Sequence, residues 1–130
     1  MSTNPNFEHG QHLDEIHRTH NEWQENLSFI LMELDFYQRQ LATVNSADAV
    51  EPAKVEQLQN RVILLTEQTQ ILAHDLRKED DKLGQFADQH EGSLTGALLS
   101  EKSKLAERLE MHQKIYDEFK KDFYLSINTK

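Results

Sequence analysis

Seven histidines occur in 130 residues, and four of them, His9, His12, His17 and His20, fall within the first twenty. Imidazole is the commonest metal ligand and titrates near neutrality, so this cluster is where chemistry is sought first. Asp14 and His17 stand three residues apart, as do His17 and His20, and on a helix each pair shares a face. Helical-bundle sites for two iron or manganese ions need two Glu-x-x-His motifs plus two further inward carboxylates, and no Glu-x-x-His occurs in this chain. His90-Glu91 opens a zincin-like pattern that Gly92-Ser93-Leu94 does not complete. His12, Asp14, His17 and His20 are therefore the candidate metal ligands, set against the expectation of no cofactor at all.

The same histidines have a structural reading. If helices around His20 and Lys102 run parallel and the helix around Glu79 runs antiparallel between them, His20, Glu79 and Lys102 form a polar layer near one end of a bundle. His112 then faces Thr69 in a second layer. Polar core positions of this kind fix register at some cost in stability.

A second constellation is His74-Asp75-Leu76-Arg77-Lys78, followed by Leu83-Gly84. It resembles the histidine phosphotransfer domains of bacterial signalling, whose motif is an exposed His with an apolar residue at +2, a Lys at +3, a Gly at +4 and an apolar-Gly pair at +9 and +10. The resemblance makes His74 a phosphoacceptor. Lys78 replaces the expected Gly at +4, where a long side chain crowds the docking face, and Glu79, Asp80 and Asp81 repel an incoming phosphoryl group.

The elements that must position these residues are read from a 3,4-spaced apolar ladder that recurs three times. The first runs Leu13, Ile16, His20, Trp23, Leu27, Ile30, Leu34, Tyr37, Leu41, Val44. The second runs Val55, Leu58, Val62, Leu65, Thr69, Leu72, Leu76, and more loosely Leu83 and Phe86. The third runs Thr95, Leu98, Lys102, Leu105, Leu109, His112, Tyr116, Phe119, Phe123. Pro52 suits the first turn of a helix, Ser93 suits an N-cap, and the glycines between Lys82 and Ala97 punctuate the second connection. The expectation is an all-α, elongated, antiparallel three-helix bundle with coiled-coil-like heptad packing. Its flexible N-terminus spans residues 1–10 and its single domain 11–127, with helices at about 11–45, 52–83 and 93–126.

Phe29, Met32 and Phe36 lie off the first ladder, and Ile63, Leu64 and Ile71 lie off the second. Either they flank a wide core or they mark an interface, and a dimer burying Phe29 and Phe36 is the natural use of such a patch.

Composition narrows the function classes. There is no cysteine, which excludes disulfides, thiolate catalysis and thiolate metal sites. The net charge of −9 disfavours nucleic-acid binding, and no Gly-rich phosphate loop or Gly-x-Ser-x-Gly elbow is present. No window approaches 18 apolar residues and the N-terminus lacks a signal pattern, so a cytoplasmic protein with no membrane contact is expected. Residues 1–40 carry seven acidic and two basic side chains, whereas residues 93–130 carry six and seven. Lys102, Lys104, Arg108, Lys114, Lys120 and Lys121 of the third helix are expected to flank acidic rows on the other two.

His20-Asn21-Glu22-Trp23, Val55-Glu56-Gln57-Leu58-Gln59-Asn60 and His74-Asp75 together resemble the HxxW and VExxQN…HD motifs of a family of small uncharacterised bacterial all-helical proteins. The resemblance spans about residues 12–80 and implies a fold and a bacterial origin, but no reaction. The reading that follows is a non-enzymatic bundle that acts by binding itself or another protein.

Overall fold

A computed structural model describes the backbone of residues 5–44, 50–90 and 96–127, and the side chains of 14–44, 50–85 and 104–127. Three helices make up the described chain: α1 (Pro5–Thr43), α2 (Pro52–His90) and α3 (Gly96–Ile127). At 1.5 Å per residue the two longer ones extend about 58 Å. Among the described residues there is no strand, and no helix is long and apolar enough to cross a membrane.

Heptad spacing decides which residues are inside. Leu27, Ile30, Leu34, Tyr37 and Leu41 are buried on α1, Leu58, Val62, Leu65, Leu72 and Leu76 on α2, and Leu105, Tyr116, Phe119 and Phe123 on α3. A single helix of this length is marginal in water, and burying such a stripe against its neighbours is what holds it.

Pairing fixes the topology. Lys54 and Arg61 reach Asp122, Thr69 meets His112, and Asp75 meets Arg108, so α2 and α3 run antiparallel. Asn26 bonds Gln113 and Tyr37 approaches Tyr124, so α1 and α3 run parallel. These two are held apart by rings. Tyr37 packs on Phe119 at 5.6 Å and on Phe123 at 4.7 Å between centroids, and among the described residues no Cα of α1 lies within 8 Å of one in α3. The Tyr116 hydroxyl, raised well above its ordinary pKa by burial and by its bond to Glu33 Oε1 at 2.7 Å, ties the same seam.

Helix ends depart from the sequence expectation. α1 begins at Pro5 rather than residue 11, because proline's fixed φ and missing N–H suit the first helical position. α2 continues through Gly84 to His90 instead of stopping near 83. One exposed helical glycine costs only about 1 kcal/mol, which the rest of a long helix absorbs. α3 begins at Gly96, and the expected Ser93 cap lies outside the described residues.

Candidate functional site

Near one end of the bundle, α1 presents His17 and His20 on one face toward Asp80 of α2. His17 Nδ1 lies 3.0 Å and His20 Nδ1 2.9 Å from the same carboxylate oxygen. His17 is exposed; His20 is only 2 % exposed and its ring stacks obliquely on Trp23. Burial alone raises the Asp80 carboxyl, but hydrogen bonds from His17 and His20 outweigh it and hold the group below the usual carboxylate range. The bond to Asp80 places a proton on His20 Nδ1, which leaves the buried Nε2 with no partner among the described residues.

This polar layer differs from the expected one. Asp80, not Glu79, receives His20, and the half-buried Glu79 stands one residue away. Lys102 and His12 lie outside the described side chains. Asp14, His17, Asp80 and Asp81 line an open cleft of about 500 Å³ beside the layer. Among the described residues, no three His, Asp or Glu side chains are arranged to hold a metal ion.

The second layer is closed. Thr69 Oγ1 donates to the Leu65 carbonyl at 2.7 Å, so it accepts from His112 Nε2–H, also at 2.7 Å. Desolvation lowers the His112 pKa. The unfolded chain therefore binds a proton near pH 6.5 that the folded chain resists, and stability falls as pH drops below that value toward the lower folded pKa. Thermal melts from pH 7.5 to 5.5 are expected to show this decline, and His112→Gln is expected to flatten it; an unchanged slope in the variant removes His112 as its source.

His74 is exposed on α2, and Arg77 and Lys78 are exposed with it. The apolar positions at +2 and +9, Leu76 and Leu83, are buried, so their spacing is accounted for by packing. Asp75 beside it pairs with Arg108 at 2.8 Å.

The off-ladder apolar residues do not flank the core. Phe29, Met32 and Phe36 are 53–71 % exposed, and Ile63, Leu64 and Ile71 are 50–56 % exposed. Nor do they form one patch. Asn26 and Glu33 of α1 reach α3, and Phe29 and Phe36 follow each by three residues, on the next row outward along that seam. Ile71 instead lines a groove of about 620 Å³ between α2 and α3, opposite Met111 and Ile115, with His112 also in its lining. Leu64 shares Ile71's row one heptad earlier, and Ile63 points about 100° away from it.

Met111 and Ile115, 59 % and 42 % exposed, are, with Tyr124 and Leu125, exposed apolar residues of α3 that the ladders miss, and these two line the groove. Their i, i+4 spacing off the seam of α3 is the signal that marks them. The cations of α3 are only partly used internally: Arg108 pairs with Asp75 and Lys120 approaches Glu33 at 3.6 Å. Lys104, Lys114 and Lys121 are exposed, with no ion pair among the described residues. Comparisons with protein-family models, with curated proteins and with solved structures find no match.

Proposed function

We propose that this chain is a non-catalytic, cytoplasmic coiled-coil-type bundle that works by protein–protein association, a second copy of itself included. The observation that carries the reading is the apolar surface on both sides of α3: Phe29, Met32 and Phe36 along α1, and Ile71, Met111 and Ile115 across the α2–α3 groove, all more than two-fifths exposed. Long heptad helices already bury their own seams, so large side chains left outside in rows are available to a partner. The polar layers serve register, which an association scaffold needs in order to present its faces rigidly.

Sedimentation tests the reading. The wild type is expected above its monomer mass of 15.2 kDa. Of two variants, Phe29→Glu/Phe36→Glu and Ile71→Glu, at least one is expected at the monomer mass with its helical circular dichroism intact. Folded monomers for all three proteins, together with failure of either face to retain any protein partner, reject the reading.

A further inference from the structure

Along the outer side of α3, Lys104, Glu107, Met111, Lys114 and Glu118 follow one another at spacings of 3, 4, 3 and 4, which places them on a single stripe. All five are exposed, and none of the four charges has an ion pair among the described residues. The stripe borders the α2–α3 groove, whose lining includes Lys104, Glu107, Met111 and Ile115.

The order of charges has a symmetry. Counted outward from Met111, each basic residue on one side is matched by an acidic residue on the other: Lys104 by Glu118 at equal distance, and Glu107 by Lys114 within one residue. A two-fold axis through Met111, with the two helices antiparallel, sets Lys104 against the partner's Glu118 and Glu107 against the partner's Lys114, each contact occurring twice. Parallel pairing about a two-fold axis sets every charge against its own copy. A shift of one heptad sets Met111 against a lysine or a glutamate. Only the antiparallel register about Met111 joins apolar to apolar and plus to minus, and isologous pairing of this kind is the commonest closed assembly.

The whole-chain charge agrees. At −9 the protein repels its own copy, and α1 contributes seven acidic against two basic side chains. α3 carries six of each and is the neutral face through which two copies approach with least repulsion.

We infer that two copies of this chain pair antiparallel along α3 about a two-fold axis at Met111, covering the Ile71, Met111 and Ile115 groove of each. The inference rests on the association reading above and assigns its self-contact to this face rather than to Phe29 and Phe36.

Charge reversal tests it, because the exchanged residues are exposed and the variants are expected to keep the wild-type circular dichroism. Sedimentation equilibrium of the full chain is expected to give a dimer for the wild type. Lys104→Glu alone and Glu118→Lys alone each set like charges together twice and are expected to weaken the dimer by about tenfold or more. The double variant Lys104→Glu/Glu118→Lys restores opposite charges and is expected to return to wild-type affinity. A wild-type dimer that both single variants leave unchanged, or that only Phe29→Glu/Phe36→Glu dissociates, overturns the inference and leaves association standing. A monomeric wild type overturns the inference as well, and association then rests on retention of a different protein.

Discussion

Phe119→Ala is expected to destabilise the bundle by about 3–5 kcal/mol, seen as a lower urea midpoint at unchanged slope. Phe119 is fully buried, and its ring meets Tyr37, Phe123 and Tyr116 at centroid distances of 5.6, 6.1 and 6.5 Å. The Arg61 guanidinium lies 5.3 Å above it, a contact that alanine also removes. These rings hold α1 away from α3, so the space left by the missing one is walled by side chains already wedged against two helices and closes poorly. Against a total stability of about 5–15 kcal/mol the loss is a large fraction. Phe119→Leu refills most of the volume and is expected to cost less than half as much. Phe29→Ala, on the solvent side of α1, is expected to stay within about 0.5 kcal/mol of wild type. A Phe119→Ala protein as stable as the Phe29→Ala protein contradicts an aromatic wedge at this seam.

That wedge was half visible in the sequence. Tyr37, Tyr116, Phe119 and Phe123 all stand at ladder positions, and a 3,4 repeat over four or more heptads leaves little choice of what faces inward. What the repeat does not contain is the distance between helices, which follows from the size of the rings that meet. Helix ends were less legible for a related reason: Gly84 reads locally as a stop, but its local cost is small beside the packing of a 39-residue helix. The seam charges show a third limit. Segment totals give α3 more cations than either other helix, yet one seam cluster runs the other way, with Asp122 of α3 receiving Lys54 and Arg61 of α2. Hydrogen bonding from Lys54, and then from Arg61, offsets burial and holds that carboxyl below its ordinary range. A sum over thirty residues carries no direction around the helix axis.

The histidine layer turns on the same point. Height along the bundle brings residues 76–80 of α2 level with His20, and the choice between Glu79 and Asp80 is then one of rotation. One residue turns the side chain by about 100°, and Asp80 is the one that this turn carries toward α1. The α1 side of the layer is therefore doubly occupied, by an exposed His17 and a buried His20 on one oxygen. His17 can exchange that bond for water, whereas His20 cannot.

This asymmetry makes Asp80→Ala the second large effect, an expected loss of about 1–3 kcal/mol at neutral pH. Removing the carboxylate strands the His20 Nδ1–H in the core, beside an Nε2 that already has no partner among the described residues. If the cost comes from that stranded group rather than from the carboxylate itself, removing the imidazole as well must recover it. His20→Leu/Asp80→Ala is therefore expected to lie closer to wild type than Asp80→Ala, because an apolar side chain of similar size leaves nothing unpaired. His17→Ala, which removes only the exposed bond, is expected to cost little. The pH dependence separates this layer from the Thr69–His112 one. Asp80 has a depressed carboxyl pKa, so its contribution is complete above the unfolded value of 3.8 and is lost as pH falls through the lower folded value. The decline below pH 6.5 that belongs to His112 should persist in Asp80→Ala, while the part of the acid transition below pH 4 is reduced. Denaturant titrations at pH 7, 5.5 and 3.5 measure both windows, and a double variant no more stable than Asp80→Ala shows that the buried imidazole was not what the carboxylate was there to satisfy.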